Sequence, residues 1–164
     1  MVILMSKIRE LIRDDNSILV FDIDGVLAKL EFGEYNHYSL NDELWAKSIE
    51  EGNSYYSDEL ALDYFKEFFK NKNMDNIYVA TKVYNELEGK QKVEFLKRNY
   101  NIKEENVFVT NDNDEKLDVL NEIKKKRNIE DDKMIVMIDD TVEVLNNVMD
   151  NSNFSTCHIS SFID

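Results

Sequence analysis

The chain has 164 residues, 43% hydrophobic and 11% aromatic, enough for one domain with a real core and too apolar for a disordered chain. Its formal net charge of −14 repels nucleic acid and membrane surfaces, and it opposes anionic substrates unless a bound cation and a lysine reverse the potential locally. The apolar start from Met1 to Met5 is too short for a signal peptide, no segment reaches transmembrane length, and the one cysteine, Cys157, excludes an internal disulfide and fits a reducing, cytoplasmic setting as a small buried hydrophobe.

Leu4, Ile8, Leu11 and Ile12 recur at helical spacing and predict a helix over 3–13, ended by Asp14-Asp15-Asn16-Ser17. Four apolar residues, Ile18 to Phe21, then run into Asp22 and Asp24, and Gly25 follows at once. The run reads as a buried strand over 18–22. Alternation puts the two carboxylates on one face if the chain stays extended. Carboxylates held that close repel unless a cation or a proton sits between them. The pair is therefore suited to bind Mg²⁺, or to supply one nucleophile and one proton donor. Asp-Gly between apolar runs is equally a hairpin signal, with 26–32 as the return strand. An EF-hand loop is excluded, because its glycine stands at position six and Gly25 stands at position four.

Residues 26–35 read as a short flap or hairpin after the aspartates. Tyr35, His37, Tyr38, Trp45, Tyr55 and Tyr56 then crowd into an acidic stretch, read as a small cap-like insertion over 33–57. Its helix spans Asn41 to Glu51 and ends at Gly52. The rings either pack the insertion onto the body or form a platform for a flat organic group such as a nucleobase. His37 without other histidines nearby gives no zinc site.

Ser57 is placed to cap a helix over 58–71, with Leu60-Ala61, Tyr64-Phe65 and Phe68-Phe69 as its core face. A second strand, Ile77 to Ala80, ends in Thr81-Lys82. Asn85 with Glu88 makes a capping box for a helix to about Asn99. Val107 to Val109 is a third strand. Lys116 to Arg127 is a helix, and its terminal Lys-Lys-Lys-Arg run suits the negative end of the helix dipole rather than a nucleic-acid patch. Met134 to Ile138 is a fourth strand ending in Asp139-Asp140. Val142, Leu145 and Val148 mark a helix, and Thr156 to Ile159 is a last, edge strand.

Short apolar strands alternating with amphipathic helices predict a doubly wound, Rossmann-like α/β domain over 1–164, with a parallel sheet of about five strands. Ligands in such sheets bind beyond the C-terminal strand ends, at the topological switch point. Three of the four main strands end in groups suited to phosphate and metal chemistry: Asp22/Asp24, Thr81 and Asp139/Asp140.

With these motifs in place the chain resembles the haloacid dehalogenase (HAD) superfamily of phosphohydrolases. The resemblance rests on Phe21-Asp22-Ile23-Asp24-Gly25-Val26-Leu27, Val79-Ala80-Thr81, Lys116 and Met137-Ile138-Asp139-Asp140, in that order. Small size and the Asp-Asp ending look most like the 5′(3′)-deoxyribonucleotidase-like branch. The resemblance implies a HAD-like fold and a Mg²⁺-dependent phosphatase for a small-molecule phosphomonoester. It makes Asp22 the nucleophile that forms an aspartyl phosphate, and Asp24 the general acid and base. Thr81 and Lys116 then bind the phosphoryl group, with Lys90 the alternative lysine. Asp22, the backbone carbonyl of Asp24, and Asp140 become the metal site. Asp139 takes the place of the family's glycine, behind the metal or orienting Lys116. Departures from the pattern sit in the insertion, which looks shorter than the helical cap of typical nucleotidases. A silent phosphate- and Mg²⁺-binding module and a phosphatase for nucleic-acid ends are the other readings. Clustered carboxylates weigh against the first and the acidic charge against the second.

Overall fold

A computed structural model describes residues 2–30 and 41–163, with side chains from Lys7 onward. Leu4's side chain, Glu31 and Phe32 of the expected return strand, the far half of the expected flap, and Tyr35, His37 and Tyr38 lie outside the described residues. The elements in chain order are α1 (Val2–Arg13), β1 (Ile18–Phe21), α2 (Asp42–Glu50), α3 (Asp63–Lys70), β2 (Ile77–Lys82), α4 (Glu86–Tyr100), β3 (Val107–Thr110), α5 (Lys116–Arg127), β4 (Ile135–Asp139), α6 (Val142–Asn151), β5 (Ser155–His158) and α7 (Ile159–Phe162).

The strands form one all-parallel sheet in the order β3-β2-β1-β4-β5. β1 and β4 are buried along their whole length, as their unbroken apolar runs require. Alternation divides each central strand between two cores. Leu19, Phe21, Ile77, Val79, Val136 and Ile138 face one side, where α1, α2, α3, α4 and α7 bring Ile12, Ile49, Phe65, Phe95 and Phe162. Ile18, Val20, Tyr78, Ala80, Ile135 and Met137 face the other, against Leu120 and Ile123 of α5 and Leu145 and Val148 of α6. The sheet is covered on both faces, which makes the fold doubly wound and Rossmann-like. Cys157 is buried in the first core, and burial pushes its thiol up to about 11.

Two expected elements differ. Residues 58–71 do not make one helix. A single 3-10 turn, Asp58–Leu60, precedes α3, and Ser57 makes no side-chain cap. Ala61 and Leu62 stay extended because their surroundings use them. Ala28 forms an antiparallel bridge with Ala61, the Leu60 carbonyl accepts from Lys29 N–H at 2.8 Å, and Leu62 N–H donates to the Tyr100 hydroxyl at 2.8 Å. The second difference follows β1. In place of a return strand, Ile23 O accepts from the N–H groups of Val26, Leu27 and Ala28 at 3.0, 2.9 and 2.8 Å. Three donors on one carbonyl curl the chain into consecutive turns. Tyr100 locks them by donating its hydroxyl to Leu27 O at 2.5 Å.

Phe21 anchors the first core directly under the aspartates. Its ring meets Phe65, Phe69 and Phe162 edge-on, at centroid distances of 5.6, 5.4 and 5.6 Å. Phe21→Ala is expected to cost about 3–5 kcal/mol in urea unfolding, as a large buried ring is deleted. Val109→Ala, at a residue 50% exposed on β3, is expected to stay within about 0.5 kcal/mol. Equal losses at the two positions would contradict this packing.

Candidate active site

The chain winds outward from β1 to β2 and β3 over one face, then returns to β4 and β5 over the other. Connections therefore diverge above the C-terminal ends of β1 and β4 and leave a crevice there. Asp22 follows β1 and donates its backbone N–H to Ile138 O at 2.9 Å. Asp139 is the last residue of β4, and Asp140 comes next. Lys116, the first residue of α5, reaches in from the second face. Its Nζ lies 3.2 Å from Asp22 Oδ1 and donates to Asp139 Oδ2 at 2.8 Å. Lys116 is 2% exposed and Asp139 is fully buried. Lys90, the alternative lysine, sits on the surface of α4 and pairs with Glu86 at 2.8 Å.

Carboxylate oxygens of Asp22, Asp139 and Asp140 come within 4.8 Å of one another, close enough to share a cation. The three do not contribute alike. Both oxygens of Asp139 are already taken, one by Lys116 and the other by Thr141 N–H at 2.9 Å. Asp139 therefore orients Lys116, while Asp22 and Asp140 face the crevice. Gly25 explains how Asp140 fits. Its φ of +80° suits glycine, and a Cβ there would lie 2.2 Å from Asp140 Oδ2. The chain thus holds open a space beside that oxygen. All donors are oxygens, which suits a hard cation such as Mg²⁺ better than zinc.

Asp24 is absent from that carboxylate group. Its Oδ2 pairs with Lys92 Nζ at 2.9 Å, and its Oδ1 accepts from the Tyr56 hydroxyl at 2.9 Å. Sequence reasoning missed Lys92, which is 1% exposed. It also pairs with Glu88 at 3.1 Å, and it donates to Lys82 O at 2.6 Å and Thr81 Oγ1 at 3.1 Å. Asn85 caps α4 by accepting from Glu88 N–H at 2.8 Å, but the Glu88 carboxylate accepts from Tyr84 N–H at 2.8 Å, one residue before the N-cap whose N–H a capping box would use. The readable signal was the Glu88–Lys92–Leu96 spacing, which puts an acid and a base on the core stripe of α4. Thr81, expected on a phosphoryl oxygen, is fully buried, and its hydroxyl faces Lys92 rather than the cavity.

The cavity above these groups holds about 260 Å³. Asp22, Asp24, Asp140 and Lys116 form one part of its wall, and Lys82, Tyr84, Trp45 and Asp42 another. Trp45 and Tyr56 are also core residues, so these rings both pack the α2 region down and line the site. Beside the cavity, His158 Nδ1 accepts from Ser160 N–H at 3.2 Å, which leaves Nε2 to donate to Asp140 O at 3.1 Å.

Burial pushes Asp22 up to about 6, with Asp139 and Asp24 adding to the rise and Lys116 opposing it. Asp139 and Asp140 are also raised, chiefly by burial. Burial alone would lower Lys116 and Lys92, but their carboxylate partners outweigh it and hold both above the ordinary lysine value. The cluster is thus a set of buried ammonium–carboxylate pairs with surplus negative charge on Asp22 and Asp140.

No protein-family model matches the chain, and no curated protein sequence is detectably similar to it.

Because burial raises Asp22, the fold prefers its neutral form. That contribution to stability is complete below 3.8 and is lost as pH rises through about 6. In EDTA, Asp22→Asn is therefore expected to be more stable than the natural protein near pH 8, by about 1–3 kcal/mol. The gap is expected to narrow as pH falls through about 6 and to close by about 3.8. Chemical denaturation across pH checks this, and a pH-independent difference would contradict the assigned burial cost.

Proposed function

We propose that the protein is a Mg²⁺-dependent phosphatase of HAD type, hydrolysing a small-molecule phosphomonoester through an aspartyl phosphate on Asp22. The observation that carries this reading is Lys116 bridging Asp22 and Asp139 beside Asp140, at the switch point of the sheet. Clustered buried carboxylates are costly to keep, and catalysis accounts for that cost where packing does not.

Asp22 and Asp140 would hold the metal, which when bound offsets negative charge on the phosphoryl oxygens. Asp22 attacks phosphorus through one carboxylate oxygen, and the ester oxygen leaves. Lys116 keeps Asp22 in place and meets the charge that develops on the transferring group. Water then attacks the aspartyl phosphate, Asp24 takes its proton, and Asp22 is restored as inorganic phosphate departs. Asp24, paired with Lys92, is placed to accept a proton. Protonating a basic leaving group first requires Asp24 to take one up. Aryl phosphates, whose leaving groups need little protonation, are the fitting assay.

The net charge of −14 sets this reading against nucleic-acid substrates. No helix among the described residues is long and apolar enough to cross a membrane.

Hydrolysis of p-nitrophenyl phosphate is expected with Mg²⁺ and not in excess EDTA, and Asp22→Asn is expected to lower kcat at least about a thousandfold. Gly25→Ala is expected to raise the Mg²⁺ concentration needed for half-maximal rate, because the new methyl displaces Asp140. Equal rates with and without EDTA, or in Asp22→Asn, would remove the proposal. Binding of Mg²⁺ and phosphate without turnover across a panel of esters would leave a binding module instead.

A further inference from the structure

The active-site region holds three lysines, and two of them are fully committed. Lys116 is bound between Asp22 and Asp139, and Lys92 between Asp24 and Glu88. Lys82 lines the same cavity, and among the described residues no carboxylate pairs with it. That is unexpected on electrostatic grounds. The chain has 34 acidic and 20 basic residues, and five carboxylates line this one cavity: Asp22, Asp24, Asp42, Glu88 and Asp140.

The local structure accounts for it. Lys82 Nζ lies over the ring of Tyr84, 4.7 Å from its centroid. A ring face attracts an ammonium without using up its N–H donors. Tyr84 is itself fixed at two points. Its backbone N–H donates to Glu88 at 2.8 Å, and Asp42 acts on its hydroxyl, which burial and that carboxylate raise above the ordinary phenol value. The platform under Lys82 is therefore braced, and the ammonium keeps its hydrogen bonds for another partner. Position in the sheet adds to this. β2 lies beside β1, with Val79 level with Phe21, so the end of β2 stands at the rim that carries Asp22. Thr81, one residue earlier, points into the protein and is sealed under Lys92. Strand alternation turns Lys82 the opposite way.

We infer that Lys82, held over Tyr84, is the residue that binds the phosphoryl group of the substrate from the β2 side of the cavity. This rests on the phosphatase reading. It assigns to Lys82 the contact that the strand-end pattern assigns to Thr81. Lys116, tied to two carboxylates, then serves the nucleophile more than the incoming anion.

Inorganic phosphate is the probe, because it carries no leaving group and so reports the phosphoryl site alone. Its affinity is measured by calorimetry with Mg²⁺ present, for the natural chain, Lys82→Met and Lys82→Arg. Lys82 is half-buried and its side chain makes no hydrogen bond among the described residues, so melting curves are expected to stay close to that of the natural chain. Lys82→Met is expected to weaken phosphate binding about tenfold to a hundredfold, the value of one charge-assisted hydrogen bond. Lys82→Arg, which keeps the charge, is expected to stay within about threefold. In turnover, Lys82→Met is expected to raise KM with kcat within about threefold, the signature of a binding group. Phosphate affinity unchanged in Lys82→Met would overturn the assignment and leave the phosphatase reading standing. A natural chain that neither binds phosphate nor hydrolyses esters would overturn both.

Discussion

Lys116 between Asp22 and Asp139 is the constraint on which the rest of the site depends. One ammonium, 2% exposed, joins the ends of two neighbouring strands and the start of a helix from the far face of the sheet. Such a pair is a weak source of net stability, since removing the ions from water costs about what their attraction returns. Deleting Lys116 is another matter, because it leaves Asp22 and Asp139 as uncompensated buried charges, at about 3–5 kcal/mol. The arrangement is therefore specific rather than strong. It fixes where Asp22 points, and β1, β4 and α5 must keep their relative positions to satisfy it.

A second buried ammonium repeats the device on the other side of Asp22. Lys92 gathers Asp24, Glu88, the Thr81 hydroxyl and the Lys82 carbonyl, and Tyr56 closes the group from the segment that follows α2. The two aspartates after β1 thereby fall into different surroundings only two residues apart. Asp22 is buried, crowded by like charge and raised. Asp24 is tied to a cation and a hydroxyl. The contrast is the reverse of the usual one, in which a raised proton carrier sits beside an ionised nucleophile: here Asp22 is the raised carboxyl and Asp24 the one held by an ammonium. The turns on Ile23 O create this separation, because they carry Asp24 out of line with β1 before a strand could continue.

Much of this was legible in the sequence, for a physical reason. Buried parallel strands must be apolar, so a carboxylate at the end of one stands out, as Asp22, Asp139 and Asp140 do, whereas Lys116 opens a helix and was singled out by the family resemblance. Apolar runs and helix caps likewise give the order of strands and helices, and with it a doubly wound sheet. What stayed hidden were side-chain partnerships across elements. Lys92 sits on a helix rich in lysine, two residues from exposed Lys90, and only the Glu88–Lys92–Leu96 spacing marks its ammonium as turned inward. The Thr81 hydroxyl turns toward Lys92, a direction that strand-end position does not reveal. The helix expected over 58–71 divided because Ala28, Lys29 and Tyr100 fix the backbone at 60–62 and hold Ala61 and Leu62 extended, and these residues are distant in sequence.

We propose that Asp22 takes the phosphoryl group from the substrate. The most direct test is acid-quenched mass spectrometry of the protein during turnover of an aryl phosphate with Mg²⁺, followed by peptide mapping. The account expects a phosphoryl group on the peptide carrying Asp22, labile to hydroxylamine as an acyl phosphate is. A phosphoryl group on another residue, or steady hydrolysis with no acyl phosphate at Asp22 under conditions where its breakdown is slow, would contradict it.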